Sequence, residues 1–128
     1  MNGKTFSFTY DRAVGIFSKD LWSADTTQSA SQRSAVAGYA YLPGLCNSNR
    51  YAINEEYGGF QYVTVVTHEM GHNFGANHDG AVSQTVNCPA SNNNIMTAGQ
   101  LPTNLQNKNL FSSCSIAAFK STVLTNNQ

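Results

Sequence analysis

Charge is scarce in this chain. Only 11% of its 128 residues are Asp, Glu, Lys or Arg, and seven basic residues cancel seven acidic ones. A neutral chain lacks the basic surface that recruits nucleic acid or an anionic membrane, so neither is expected as its partner. Long apolar runs are also missing: no stretch reaches the roughly 18 residues that a membrane-spanning helix needs. The opening Met1-Asn2-Gly3-Lys4 has no apolar core of a secretory leader, so Met1 starts either a cytosolic protein or a piece of a longer one. There is no internal repeat, no Asn-x-Ser/Thr glycan acceptor, and no Cys-x-x-Cys pair of a zinc ribbon or thioredoxin-like site. The three cysteines, Cys46, Cys88 and Cys114, are an odd number, so at least one thiol lacks a partner within the chain. Histidine is equally sparse, yet His68, His72 and His78 all fall within one eleven-residue window.

What is present suits one folded domain. The chain is 41% hydrophobic with seven Phe and six Tyr, enough for a single modest core. Thr5–Tyr10 alternates polar and aromatic residues and is predicted as a strand. The small polar run Asp25–Ser34 is predicted as a surface loop. Ala35–Leu42, stopped by Pro43-Gly44, and Tyr51–Asn54 are predicted as strands. From Phe60 to Phe74 apolar residues recur at steps of three and four (Val63, Val66, Met70, Phe74), predicting a helix that Gly75 ends. Gly80–Asn109, rich in Asn, Ser, Thr and Gly, is expected to be irregular. A last helix, capped by Ser112 or Ser113, is expected to turn Ile116, Phe119 and Val123 inward. This order predicts an α+β fold.

The chemistry concentrates in His68-Glu69-Met70-Gly71-His72. Positions i and i+4 of a helix share one face, so both imidazoles can reach one ion. A glycine at 75 permits a left-handed turn that brings His78 back toward the same point. Three neutral nitrogens with a fourth position open make a catalytic zinc site, and Glu69 is placed to take a proton from water activated there. Zinc lowers the pKa of its water toward about 7 and polarises a carbonyl, so ion and carboxylate together hydrolyse an amide.

The string HEMGHNFGANHD, residues 68–79, resembles the signature of the metzincin zinc endopeptidases. Asp79 after the third histidine is similar to the adamalysin (reprolysin, ADAM-type) branch. The resemblance implies a metzincin-like α+β domain: a small mixed sheet with an edge strand, an active-site helix, and an irregular C-terminal segment with a Met-turn before a final helix. Asn94-Ile95-Met96 resembles the Met-turn, whose Met96 would lie beneath the ligands, with Gly75 and Asp79 supporting. Gly38-Tyr39-Ala40-Tyr41 resembles the edge strand along which peptide substrate pairs. Thr97–Thr103 corresponds to the wall of the pocket for the residue after the scissile bond. Phe111–Ser115 resembles the segment before the last helix. The resemblance also implies a Cys88–Cys114 disulfide and a Cys46 partner beyond the final helix, which leaves Cys46 unpaired in this chain. Residues 1–79 would form an upper subdomain and 80–128 a lower one. Most of the family's N-terminal portion has no counterpart here, which implies a fragment of a longer precursor or an unusually short relative.

The function expected is zinc-dependent hydrolysis of protein or peptide substrates, outside the cell or in the ectodomain of a membrane-anchored precursor. One catalytic Zn2+ is expected; a structural Ca2+ has no residue pattern of its own in support. Two rivals are a catalytically weak or inactive zinc-containing binding or toxin-like module, against which Glu69 argues, and a purely structural zinc, which needs Asp79 or Glu69 as fourth ligand. Glu55 and Glu56 are expected in a solvated turn rather than at a second metal, and Trp22 is expected to be packing. The sequence does not define an oligomeric state.

Overall fold

The computed structural model describes residues 10–81 and 87–126. The strand expected at Thr5–Tyr10 lies outside them except for Tyr10, which is irregular. Within them three strands form one mixed sheet: β1 (Ala13–Phe17), β2 (Gly38–Ala40) and β3 (Tyr51–Glu55). Their order is β1-β3-β2, with β1 parallel and β2 antiparallel to β3. This is the small mixed sheet of the expected α+β, metzincin-like architecture, with β2 at an edge.

Among the described residues three helices accompany the sheet: α1 (Ala30–Arg33), α2 (Tyr62–Asn73) and α3 (Ser113–Asn126). The predicted strand at Ala35–Leu42 shortens to β2, and Val36 instead bridges Leu21. The loop expected at Asp25–Ser34 contains α1, because Ser29 and Gln32 form a reciprocal capping box around that single turn. Trp22 is 54% exposed rather than packed, with the Arg33 guanidinium over its ring. Glu55 is buried as the last residue of β3, not solvated, and its Oε2 accepts from the Leu21 N–H and the Tyr57 hydroxyl.

Beyond α2 the chain is irregular as expected, broken by two single 3-10 turns at Ala90–Asn92 and Leu105–Asn107. Here lies the apolar core: Ala76, Ile95 and Met96, with Phe111, Ala118 and Phe119 packed on them. Ser112 caps α3, its Oγ accepting from the Ser115 N–H. Ile116 and Val123, expected inward, are exposed. The face turned inward instead carries Ser115, Ala118, Phe119 and Thr122, because α3 must come close to Gly75, where an added Cβ would strike the Thr122 hydroxyl.

Candidate metal centre

His68 and His72 stand one turn apart on α2. The helix then stops in a Schellman motif: the Gly75 N–H donates to the His72 carbonyl and the Ala76 N–H to the Gly71 carbonyl, with Gly75 at φ 92°. That reversal returns His78 to the same point. His68 Nδ1 donates to the Ile95 carbonyl at 2.7 Å and His72 Nδ1 to the Ala76 carbonyl at 2.8 Å. A carbonyl only accepts, so both Nδ1 atoms carry the proton and both Nε2 atoms keep a lone pair. These Nε2 atoms lie 3.1 and 3.2 Å from Nε2 of His78. Tetrahedral nitrogen ligands about 2.0–2.1 Å from zinc stand about 3.3 Å apart. The three rings therefore fit one such ion, and they are the group of potential ligands that gathers among the described residues.

The electrostatics favour the ligand form. Burial lowers the pKa of all three imidazoles, that of His72 to about 4, so each is neutral at physiological pH. Burial pushes the Glu69 carboxyl up to about 7, opposed by the Arg12 charge. A dication at the histidines would favour its ionised form.

Glu69 rests against β2. An added Cβ on Gly38 would come within 2.8 Å of Glu69 Cγ and 2.9 Å of its Oε1, so only glycine there leaves the carboxylate its place. His68, His78 and Glu69 open onto a cavity of about 430 Å³ bounded by Gly38 and Tyr39 on one side and Thr97–Gln100 on the other. Of the pocket wall expected at Thr97–Thr103, Thr97–Gln100 line this cavity, while the Leu101 and Thr103 carbonyls accept from the Asn93 amide. Tyr41 lies just past β2, its carbonyl held by the Asn73 amide.

Met96 is fully buried, with its sulfur against Gly71 of α2. The Ile95 carbonyl beside it receives the His68 ring, and its own carbonyl receives the Asp79 N–H at 2.8 Å. Asp79 is buried, with Oδ1 accepting from the Ser112 hydroxyl at 2.6 Å. The Cys88–Cys114 disulfide joins the irregular segment to α3, while Cys46 is free and exposed.

Three contributors escaped the sequence reading. Gly71 lets Met96 approach α2, since a Cβ there would collide with the Met96 sulfur. Its signal was present: a glycine inside a helix costs about 1 kcal/mol against alanine and needs a packing reason. Buried Asn73 and half-buried Arg12 form a pair with Nε donating to Oδ1 at 2.7 Å, for which local sequence gives no signal.

The model of a reprolysin-like M12B metallopeptidase family matches residues 17–126. The chain is similar to the Bombyx mori protein "A disintegrin and metalloproteinase with thrombospondin motifs like", 39% identical over 79 residues, covering 56% of this chain and 11% of that protein. It is 48% identical over 42 residues to human "A disintegrin and metalloproteinase with thrombospondin motifs 19", covering 33% of this chain and 4% of the relative. Against mouse "A disintegrin and metalloproteinase with thrombospondin motifs 13" it is 35% identical over 68 residues, covering 53% and 5%. The chain thus spans 11% or less of the length of these relatives. A match running from the end of β1 through the histidine helix to α3 makes the chain a member of the M12B, reprolysin-like metallopeptidase family.

Proposed function

We propose that the chain is a zinc-dependent endopeptidase. One observation carries the reading: imidazole lone pairs converge beside a carboxylate, on a cavity bordered by an edge strand. His68, His72 and His78 hold the ion. Bound there, zinc supplies a Lewis acid that lowers the pKa of water toward about 7 and polarises the scissile carbonyl.

The protein's own groups do the rest. Glu69 takes the proton of the attacking water and delivers it to the leaving amine. Substrate lies antiparallel along the outer edge of β2, from Gly38 to Tyr41, where backbone hydrogen bonds hold it with little demand on its sequence. The side chain after the scissile bond enters the cavity walled by Thr97–Gln100. Met96 and Asp79 hold the floor: the Met96 carbonyl accepts from the Asp79 N–H, Asp79 Oδ1 accepts from the Ser112 hydroxyl, and the neighbouring Ile95 carbonyl accepts from His68 Nδ1. A structural zinc is disfavoured, because it needs Asp79 or Glu69 as a fourth ligand and neither carboxylate joins His68, His72 and His78 in the ligand group found among the described residues. The disulfide supports an extracellular setting for substrate and enzyme.

The test is cleavage of casein with and without a chelator. Activity is expected to stop on chelation and return with added zinc; cleavage undiminished by the chelator contradicts the proposal.

A further inference from the structure

Behind the site, α2 meets the sheet through polar groups. Asn73, the last residue of α2, is fully buried. Its side chain bridges two partners: Oδ1 accepts from Arg12 Nε at 2.7 Å, and Nδ2 donates to the Tyr41 carbonyl at 2.9 Å. The amide can point only one way, because a guanidinium only donates and a carbonyl only accepts. The Asn73 carbonyl takes two more bonds, from the Gly44 and Leu45 N–H groups, both at 3.0 Å. Gly44 has to be glycine for this approach, since a Cβ there would strike the Asn73 amide and the Asn49 carbonyl.

Arg12 directly precedes β1, at the edge of the sheet opposite β2. Its Nη2 is buried without a hydrogen-bond partner among the described residues. A guanidinium left partly unpaired in the interior is unfavourable by itself. What it gains is a directed bond to the residue that fixes the end of the edge strand.

We propose that Arg12 is a positioning residue for substrate: through the Asn73 amide it sets the Tyr41 carbonyl, and with it the edge strand, at a fixed place relative to the histidine helix. The proposal rests on the proteolytic reading, in which peptide pairs along that strand. Loss of Arg12 frees the Asn73 amide to turn, so the strand loses its anchor while the ligands keep theirs on Ile95 and Ala76.

Two ligands separate strand from metal. Acetohydroxamic acid binds zinc alone; a peptidyl hydroxamate binds zinc and lies along the strand. With the zinc-loaded full chain, Arg12→Ala is expected to weaken the peptidyl compound about tenfold, the loss of one charge-assisted hydrogen bond. Acetohydroxamic acid should bind as to wild type. Asn73→Asp keeps the Arg12 bond but sets a carboxylate oxygen against the Tyr41 carbonyl, so it should show the same selective loss. Arg12→Lys, which can still donate to Asn73, should recover part of it. If Arg12→Ala fails to show a melting transition, Asn73→Asp and Arg12→Lys decide. Equal weakening of both ligands means a merely structural role and overturns the proposal, as do unchanged affinities or a wild type that gains nothing from the peptide portion. A chain that shows the selective loss yet never cleaves casein contradicts the proteolytic reading alone.

Discussion

The two sides of the metal centre are built on different physics. On one side Ala76, Ile95, Met96, Phe111, Ala118 and Phe119 form an apolar core, and Cys88–Cys114 ties it covalently. On the other, the buried residues between α2 and the sheet are largely polar, including Asn54, Glu69 and Asn73. The large apolar side chains of that sheet, Phe17, Tyr39, Tyr51 and Ile53, are 39–55% exposed. Apolar burial is nondirectional and supplies stability, whereas hydrogen bonds supply direction. The core side is therefore expected to govern stability and the sheet side the alignment of the site.

Substitutions can break that division. The largest effect belongs to the seam: His72→Ala should lose most of its zinc and all measurable casein cleavage, read by metal analysis beside the assay. On the core side, serine at both Cys88 and Cys114 opens a link across 26 residues, expected to cost about 3.5 kcal/mol of unfolding free energy in a urea titration. Gly71→Ala drives a methyl group into Met96 and should cost about 1–3 kcal/mol in the same titration.

The pH dependence sharpens the contrast. In the metal-free chain His72 sits near pKa about 4 against an ordinary 6.5, so the unfolded chain protonates first as pH falls. That contribution to stability is full above about pH 6.5 and disappears as pH falls through about 4. Glu69, raised to about 7 from 4.5, runs the other way: its contribution is full below about pH 4.5 and lost as pH rises through about 7. The two trends partly cancel between those values. Glu69→Gln removes one of them, so its melting temperature should fall more steeply on acidification than that of the wild type, by several degrees. The smallest effect is expected on the open sheet face, where Ile53→Thr should change stability by less than about 0.5 kcal/mol. A cost there equal to that of Gly71→Ala would erase the distinction.

The same division explains what was legible in the sequence. The histidine cluster depends on helical spacing and one glycine turn, both local, so the sequence suffices to bring His68, His72 and His78 together. The pairing of Cys88 with Cys114 came from family resemblance. β1 was missed because Ala13–Phe17 is five residues with a glycine at its centre, too short for a periodic signal. The inward face of α3 departs from the apolar spacing, which pointed to Ile116 and Val123 beside Phe119. Ser115, Ala118 and Thr122 face in because close approach to Gly75 favours small side chains. The Arg12–Asn73–Tyr41 bridge joins residues far apart in the chain, which no local pattern can reveal.

In the proposed mechanism Glu69 performs the proton transfers while the histidines alone hold the ion. Zinc content and casein cleavage measured together on Glu69→Ala test it most directly. Glu69→Ala is expected to fold, to bind zinc as the wild type does and to cleave slower by a factor of about 100 to 10,000. Zinc-loaded Glu69→Ala that cleaves at the wild-type rate would contradict it.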